Sequence, residues 1–295
     1  MNRTEVLEQI KKNVEQLTVF DSDEYTYIPL HQKSSPSVVS VRKLMQLLRM
    51  VIFPGFFGSR QEAQMTSVQY YTGVYLEEIY ELLYEEVFNS LCFDSECCCD
   101  TRDKASAIAV SFINEIPHIK HLLSTDVKAI LDGDPAAHSV SEVIFCYPAT
   151  LAILYQRVAH ALFKLDVPVL PRIITEMAHS TTGVDIHPGA RIGEYFSIDH
   201  GTGIVIGQTT IIGNHVRLYQ GVTLGAKNFK YDEDGLPMDI PRHPIIEDNV
   251  TIYSNTSVLG RITIGKGSII GGNIWLTYDV PPNSKILQTR AVEDR

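Results

Sequence analysis

The hydrophobic period of the chain changes near residue 184. Before it, apolar residues recur at three- and four-residue spacing, the pattern of helix faces turned to a core. Val41, Leu44, Leu47 and Leu48 make one such face, and Leu76, Ile79, Tyr80, Leu83 and Val87 another. A third apolar-periodic run covers residues 141–165, with Pro148 placed to start or kink it. Pro171 suits the first turn of a fourth helix through Arg172–His179. Residues 21–40 are polar, include Ser34-Ser35-Pro36-Ser37, and read as a linker. The first part is predicted to be all-helical.

After residue 184 a fixed period of six takes over. Ile246, Ile252, Val258, Ile264, Ile270 and Leu276 are six residues apart and all aliphatic. So are Ile186, Ile192, Ile198 and Ile204; the frame then slips by two and continues as Ile206, Ile212, Leu218 and Leu224. Gly follows the aliphatic at 193, 207, 213, 225, 265 and 271. Six is not a helical period. It fits a parallel β-helix with three flat faces, one hexad each, whose aliphatics point into the prism and whose small residues turn the corners. Between Leu224 and Ile246 the repeat is broken by a polar, turn-rich loop, 226–243. Long excursions from a regular scaffold are more often functional than accidental.

The 295 residues, 44 % hydrophobic and 20 % charged, suffice for a sizeable core. A formal net charge of −10 argues against nucleic acid or an anionic membrane as partner, since phosphate binding needs clustered cations. The N-terminus lacks the apolar core of a secretion signal, and no stretch approaches the ~18 apolar residues of a span. Five cysteines, with Cys97, Cys98 and Cys99 adjacent, suit neither a disulfide framework nor a zinc knuckle. The Cys97–Cys99 run is expected to be free thiols, and a reducing, cytoplasmic compartment is expected.

The motifs VDIHPGARIG (184–193), IDHGTGIVIG (198–207), YQGVTLG (219–225) and PRHPIIED (241–248) resemble those of the left-handed β-helix acyltransferases. Within them they resemble the serine O-acetyltransferase family. The period by itself does not fix handedness; the resemblance implies the left hand. It implies an α+β chain: a helical domain over 1–183 for oligomerisation and substrate contacts, a left-handed parallel β-helix over 184–282 with the loop 226–243, and a tail over 283–295.

The reaction implied is acetyl transfer from acetyl-CoA to the serine hydroxyl, for cysteine biosynthesis. A neutral alcohol needs a base to take its proton during attack, and a histidine suits that task. His200 matches the family's base, and Asp185 the carboxylate that fixes its tautomer and steadies the imidazolium. Their 15-residue separation is a little under one 18-residue coil, which suits adjacent coils of one wall. His243 matches a histidine of the same site contributed across a subunit boundary, and Arg242 the partner of the serine carboxylate. Asp134 and Asp199 match the carboxylates that hold the serine ammonium, which keeps the amine protonated and directs acylation to oxygen.

Ala226, Ser254 and Gly272 match positions along the coenzyme groove. No metal is expected; His187 and His215 are assigned surface or structural roles. With no cysteine or serine nucleophile beside His200, direct transfer is expected rather than an acyl-enzyme. The resemblance further implies a homotrimer or hexamer and L-cysteine as feedback inhibitor. The chain departs from the better-known pattern at Gln208, where Glu is common, at Tyr253-Ser254-Asn255-Thr256, and in its longer loop. It ends in Arg295 rather than isoleucine, so the family's sulfhydrylase complex is not expected. The alternatives are another hydroxyl acceptor, homoserine or a sugar, and a catalytically idle scaffold.

Overall fold

The computed structural model describes residues 2–19, 35–58, 65–93 and 100–288. Its first part is helical: α1 (Arg3–Leu17), α2 (Val38–Ile52), α3 (Met65–Leu91), α4 (Thr101–Gly133), α5 (Val140–Cys146), α6 (Pro148–Lys164) and α7 (Leu170–Thr182). The run predicted over 141–165 is two helices. Pro148 has no N–H to bond back into α5, and it opens α6 in its first turn. Pro171 does the same for α7. The long α4 was not singled out from sequence, although Ile108, Phe112, Ile116, Ile119 and Leu123 keep helical spacing on its buried side. Most of the predicted linker lies outside the described residues, as does the Cys97–Cys99 run. The buried Cys92 is disulfide-bonded, where the cysteine pattern suggested no disulfide framework. Cys146 is free.

The second part is a parallel β-solenoid with three faces. Face A stacks β1 (Asp185–Ile186), β4 (Val205–Ile206), β7 (Thr223–Gly225), β10 (Ser257–Leu259) and β13 (Trp275–Leu276). Face B stacks β2 (Arg191–Ile192), β5 (Ile211–Ile212), β8 (Ile245–Ile246) and β11 (Thr263–Ile264). Face C stacks β3 (Ser197–Asp199), β6 (Arg217–Tyr219), β9 (Thr251–Ile252), β12 (Ile269–Ile270) and β14 (Lys285–Ile286). The six-residue aliphatics form three internal columns. Ile186, Ile206, Leu224, Val258 and Leu276 make the first, and every member is buried. The solenoid runs past residue 282, because β14 pairs with β12.

One column position differs from the count. Val205, not Gly203, stacks on Asp185, so this coil holds 20 residues where the next, from Val205 to Thr223, holds 18. The two extra residues lie in the corner 200–204, between β3 and β4. Ile204 is buried in that corner, and Ile206 takes the column.

The helices close the lower end of the prism. A solenoid's first coil has no coil beneath it, so its backbone groups need other partners. The Gln156 amide donates to Ala190 O at 3.0 Å, and Arg157 donates to the carbonyls of Ile192 and Gly193. Asp126 accepts from Phe196 N at 3.0 Å, and Thr125 from Tyr195 N at 3.1 Å. Asp126 and Arg157 also form an ion pair, 2 % and 4 % exposed.

Candidate active site

The proposed site residues lie on two different edges of the prism. The first edge joins faces C and A. Here the chain leaves β3 at Asp199 and turns through His200 in the left-handed region, φ 56°. Gly201 follows at φ 96°, where a Cβ would come within 2.8 Å of Ile198 Cγ2 and 3.0 Å of Val184 Cγ2. The corner therefore rests on the coil below and demands glycine. It leaves the His200 side chain 74 % exposed, with Nε2 3.7 Å from Asp199 Oδ1.

The C-terminal end of α4 meets this edge. Asp134 ends the helix and accepts 2.6 Å from the Tyr147 hydroxyl and 2.8 Å from Ala136 N. These two hydrogen bonds, with His200 and Arg217 nearby, hold its carboxyl below the usual range. Tyr147, bound to that carboxylate, is pushed up to about 12 and remains a donor. Arg217 Nη1 donates to Gly133 O at 2.9 Å and ties α4 to β6. Asp134, Tyr147, Asp199 and Arg217 line one narrow cleft. Asp134, Asp199 and His200 thus lie at one edge. Tyr147 and Arg217 were missed, because nothing in their local sequence marks them as neighbours of a corner far along the chain.

Asp185 lies on the rung below His200, at the same edge. Gly203 N donates to Gly183 O at 2.8 Å across the two rungs. No hydrogen bond or ion pair joins Asp185 to His200 among the described residues. The Asp185 carboxylate faces the end of α7, where its oxygen, one of Glu176 and a ring nitrogen of His179 lie within 4.8 Å of one another. Ser254 and Gly272 belong to higher turns of the His200 edge; Asn273 N donates to Ser254 O at 2.9 Å.

The second edge joins faces A and B and carries the remaining residues. The Arg242 guanidinium is held by Gln208 Oε1 at 2.9 Å and Asp239 Oδ1 at 3.2 Å. His243 is buried, with its ring against Gly207; a Cβ there would lie 2.0 Å from the ring carbon Cδ2. Its Nδ1 accepts from Thr209 N at 3.1 Å, so the neutral ring carries its proton on Nε2 as a donor. Burial, then Arg242 and Arg261, push His243 down to about 4. Ala226 follows β7 on this edge, one turn above Gln208. His187 is likewise pushed down to about 4, chiefly by burial, and accepts from Gly189 N at 3.0 Å. His215 stacks on Tyr195, ring centroids 4.3 Å apart.

The low value of His243 has a consequence for stability. Between about pH 6.5 and 4 the unfolded chain binds a proton there that the folded chain does not, so this contribution, full above pH 6.5, is lost as pH falls. Urea midpoints are expected to drop from pH 7 to pH 5, and His243→Gln to flatten that slope. An identical slope in the variant would refute the assignment.

A plasmid-encoded serine acetyltransferase of Synechococcus elongatus is 46 % identical over 267 residues, 88 % of this chain and 83 % of that one. The chain belongs to the serine acetyltransferase family. The serine acetyltransferase of Bacillus subtilis is 45 % identical over 166 residues, 56 % of this chain and 73 % of that one. Among solved structures, Entamoeba histolytica serine acetyltransferase 1 in complex with L-cysteine superposes with TM-score 0.73 at 35 % identity, covering 86 % of this chain and 87 % of that one. Isoform 3 from the same organism, in complex with cysteine, gives 0.71 at 31 %, covering 90 % and 86 %. No family model matches the chain. As in other serine acetyltransferases, the solenoid is left-handed and follows a helical region. Among the described residues no helix is long and apolar enough to cross a membrane.

Proposed function

We propose that the chain transfers the acetyl group of acetyl-CoA to the hydroxyl of L-serine, on sites shared between neighbouring copies. The observation carrying this is the division of the residues. Asp134, Asp199 and His200 meet at one edge, whereas Arg242 and His243 sit at another. A complete site then forms where the first edge of one copy faces the second edge of the next, and three copies close the ring. Phe229, Tyr231, Leu236 and Met238 of the loop are exposed, as expected of a segment that packs on a neighbour.

Asp134 and Asp199 take the serine ammonium and keep it protonated, so the amine does not compete as nucleophile. Arg242 of the facing edge takes the carboxylate in a bidentate contact. His200 removes the hydroxyl proton as oxygen attacks the thioester carbonyl. Its corner lets the exposed ring turn toward Asp185, the proposed partner on the rung below. His243, neutral with its proton on Nε2, donates to the developing oxyanion. The proton on His200 then passes to the departing thiolate. Acetyl-CoA is proposed to run along the groove between edges, past Ser254 and Gly272 on one side and Ala226 on the other. L-cysteine shares the ammonium and carboxylate of serine and is proposed to compete in the same pocket; two related structures hold it.

Thiol release from acetyl-CoA is expected to be fast with serine and much slower with homoserine or a galactoside. Absence of release with serine would remove this function. Tyr147 is a positioning residue for Asp134. Tyr147→Phe is expected to raise the KM for serine several-fold, leaving that for acetyl-CoA unchanged. An equal rise in both constants would point to a general structural role instead.

A further inference from the structure

A cavity of about 680 Å³ lies between α2, α6 and α7 and shares no lining residue with the Asp134–Asp199 cleft. That is the size of a small-molecule site. Its walls are largely apolar and include Met45, Ile173 and Met177. They also carry three guanidiniums, Arg42 and Arg49 of α2 and Arg172 of α7, against one carboxylate, Glu176. That balance is opposite in sign to the chain's net charge of −10.

Arg172 is paired with Glu176 at 2.6 Å. Arg42 and Arg49 have neither a hydrogen bond nor an ion pair among the described residues. They lie seven residues apart, on one face of α2. Arg49 is half-buried over the Phe57 ring, 3.6 Å from its centroid, and burial lowers its pKa. The half-buried Tyr155 lines the same cavity as both guanidiniums. Burial raises Tyr155, and its O–H is a donor at neutral pH. The cavity thus presents one exposed and one half-buried guanidinium, neither in an ion pair among the described residues, beside a donor hydroxyl.

We propose that this cavity binds a small organic acid, its anionic head held by Arg42, Arg49 and the Tyr155 hydroxyl and its apolar body lying against Met45, Ile173 and Met177. The ligand is separate from serine and acetyl-CoA, whose proposed contacts lie on the prism edges. A second cavity, of about 700 Å³ between α3 and α4, supplies an internal contrast. It is also apolar but is lined by Glu77, Glu78 and Glu81, which repel an anion.

The test uses 8-anilinonaphthalene-1-sulfonate, an anionic head on an apolar body, titrated into the full-length protein by fluorescence. Saturable binding at one site per chain is expected, weakened at least about 10-fold in the R42Q/R49Q double variant, the loss of a charge-assisted contact. Glu81→Gln in the acidic cavity is expected to leave it unchanged. Circular dichroism and the unfolding midpoint verify that both variants remain folded. Tyr155→Phe is expected to weaken binding less than the double variant. Binding that persists at full strength in folded R42Q/R49Q overturns the proposal, and so does binding that responds to Glu81→Gln instead.

Discussion

His200→Ala is expected to lower turnover at least about 100-fold with the oligomer intact, the size of a typical general-base contribution. The side chain is three-quarters exposed and makes no hydrogen bond among the described residues, so its loss leaves no partner unsatisfied. The corner's shape is set by Gly201 and the five-residue turn, not by the imidazole. Steady-state thiol release and sedimentation on the same preparation separate the two effects. Asp185→Asn should lower turnover in the same direction but less, because it removes orientation and charge support while leaving the base. A His200→Ala enzyme with an unchanged rate would falsify the base assignment. A lost rate accompanied by a dissociated oligomer would do the same, by making the residue structural.

Arg157→Ala should produce the largest loss of stability. Its guanidinium is buried, pairs with Asp126 at 3.0 Å and donates to two carbonyls of the first coil. Removing it takes the donor from two carbonyls and leaves a buried carboxylate with only Phe196 N to hold it, and breaking a buried pair from one side costs about 3–5 kcal/mol. The paired replacement Arg157→Met with Asp126→Leu should cost less than Arg157→Ala alone, because it leaves no uncompensated charge. Urea unfolding measures both. A loss under about 1 kcal/mol for Arg157→Ala would mean that water replaces the guanidinium and that the closure at the base of the prism matters little.

Much of the architecture was legible because the six-residue period has one simple meaning. A side chain that points inward every sixth residue must belong to a three-faced coil, and the columns from Ile186 to Leu276 follow directly. The two-residue slip in that period was also visible. Its meaning was not: it marks the enlarged corner 200–204 that carries the proposed base. The break of the 141–165 run at Pro148 was legible for a local reason, the missing N–H.

The sequence by itself determined the in-or-out pattern, the stacking unit and the residue types able to do acyl transfer, since these depend on neighbours a few positions away. Only the tertiary structure decided that His200 and His243 occupy different edges, that Asp185 turns toward α7, and that Tyr147 holds Asp134. Those facts depend on which coil lies beneath a corner and which helix abuts it. Contacts between residues 13 to 70 positions apart leave no periodic trace in the chain, because one pair of side chains is enough to make each of them.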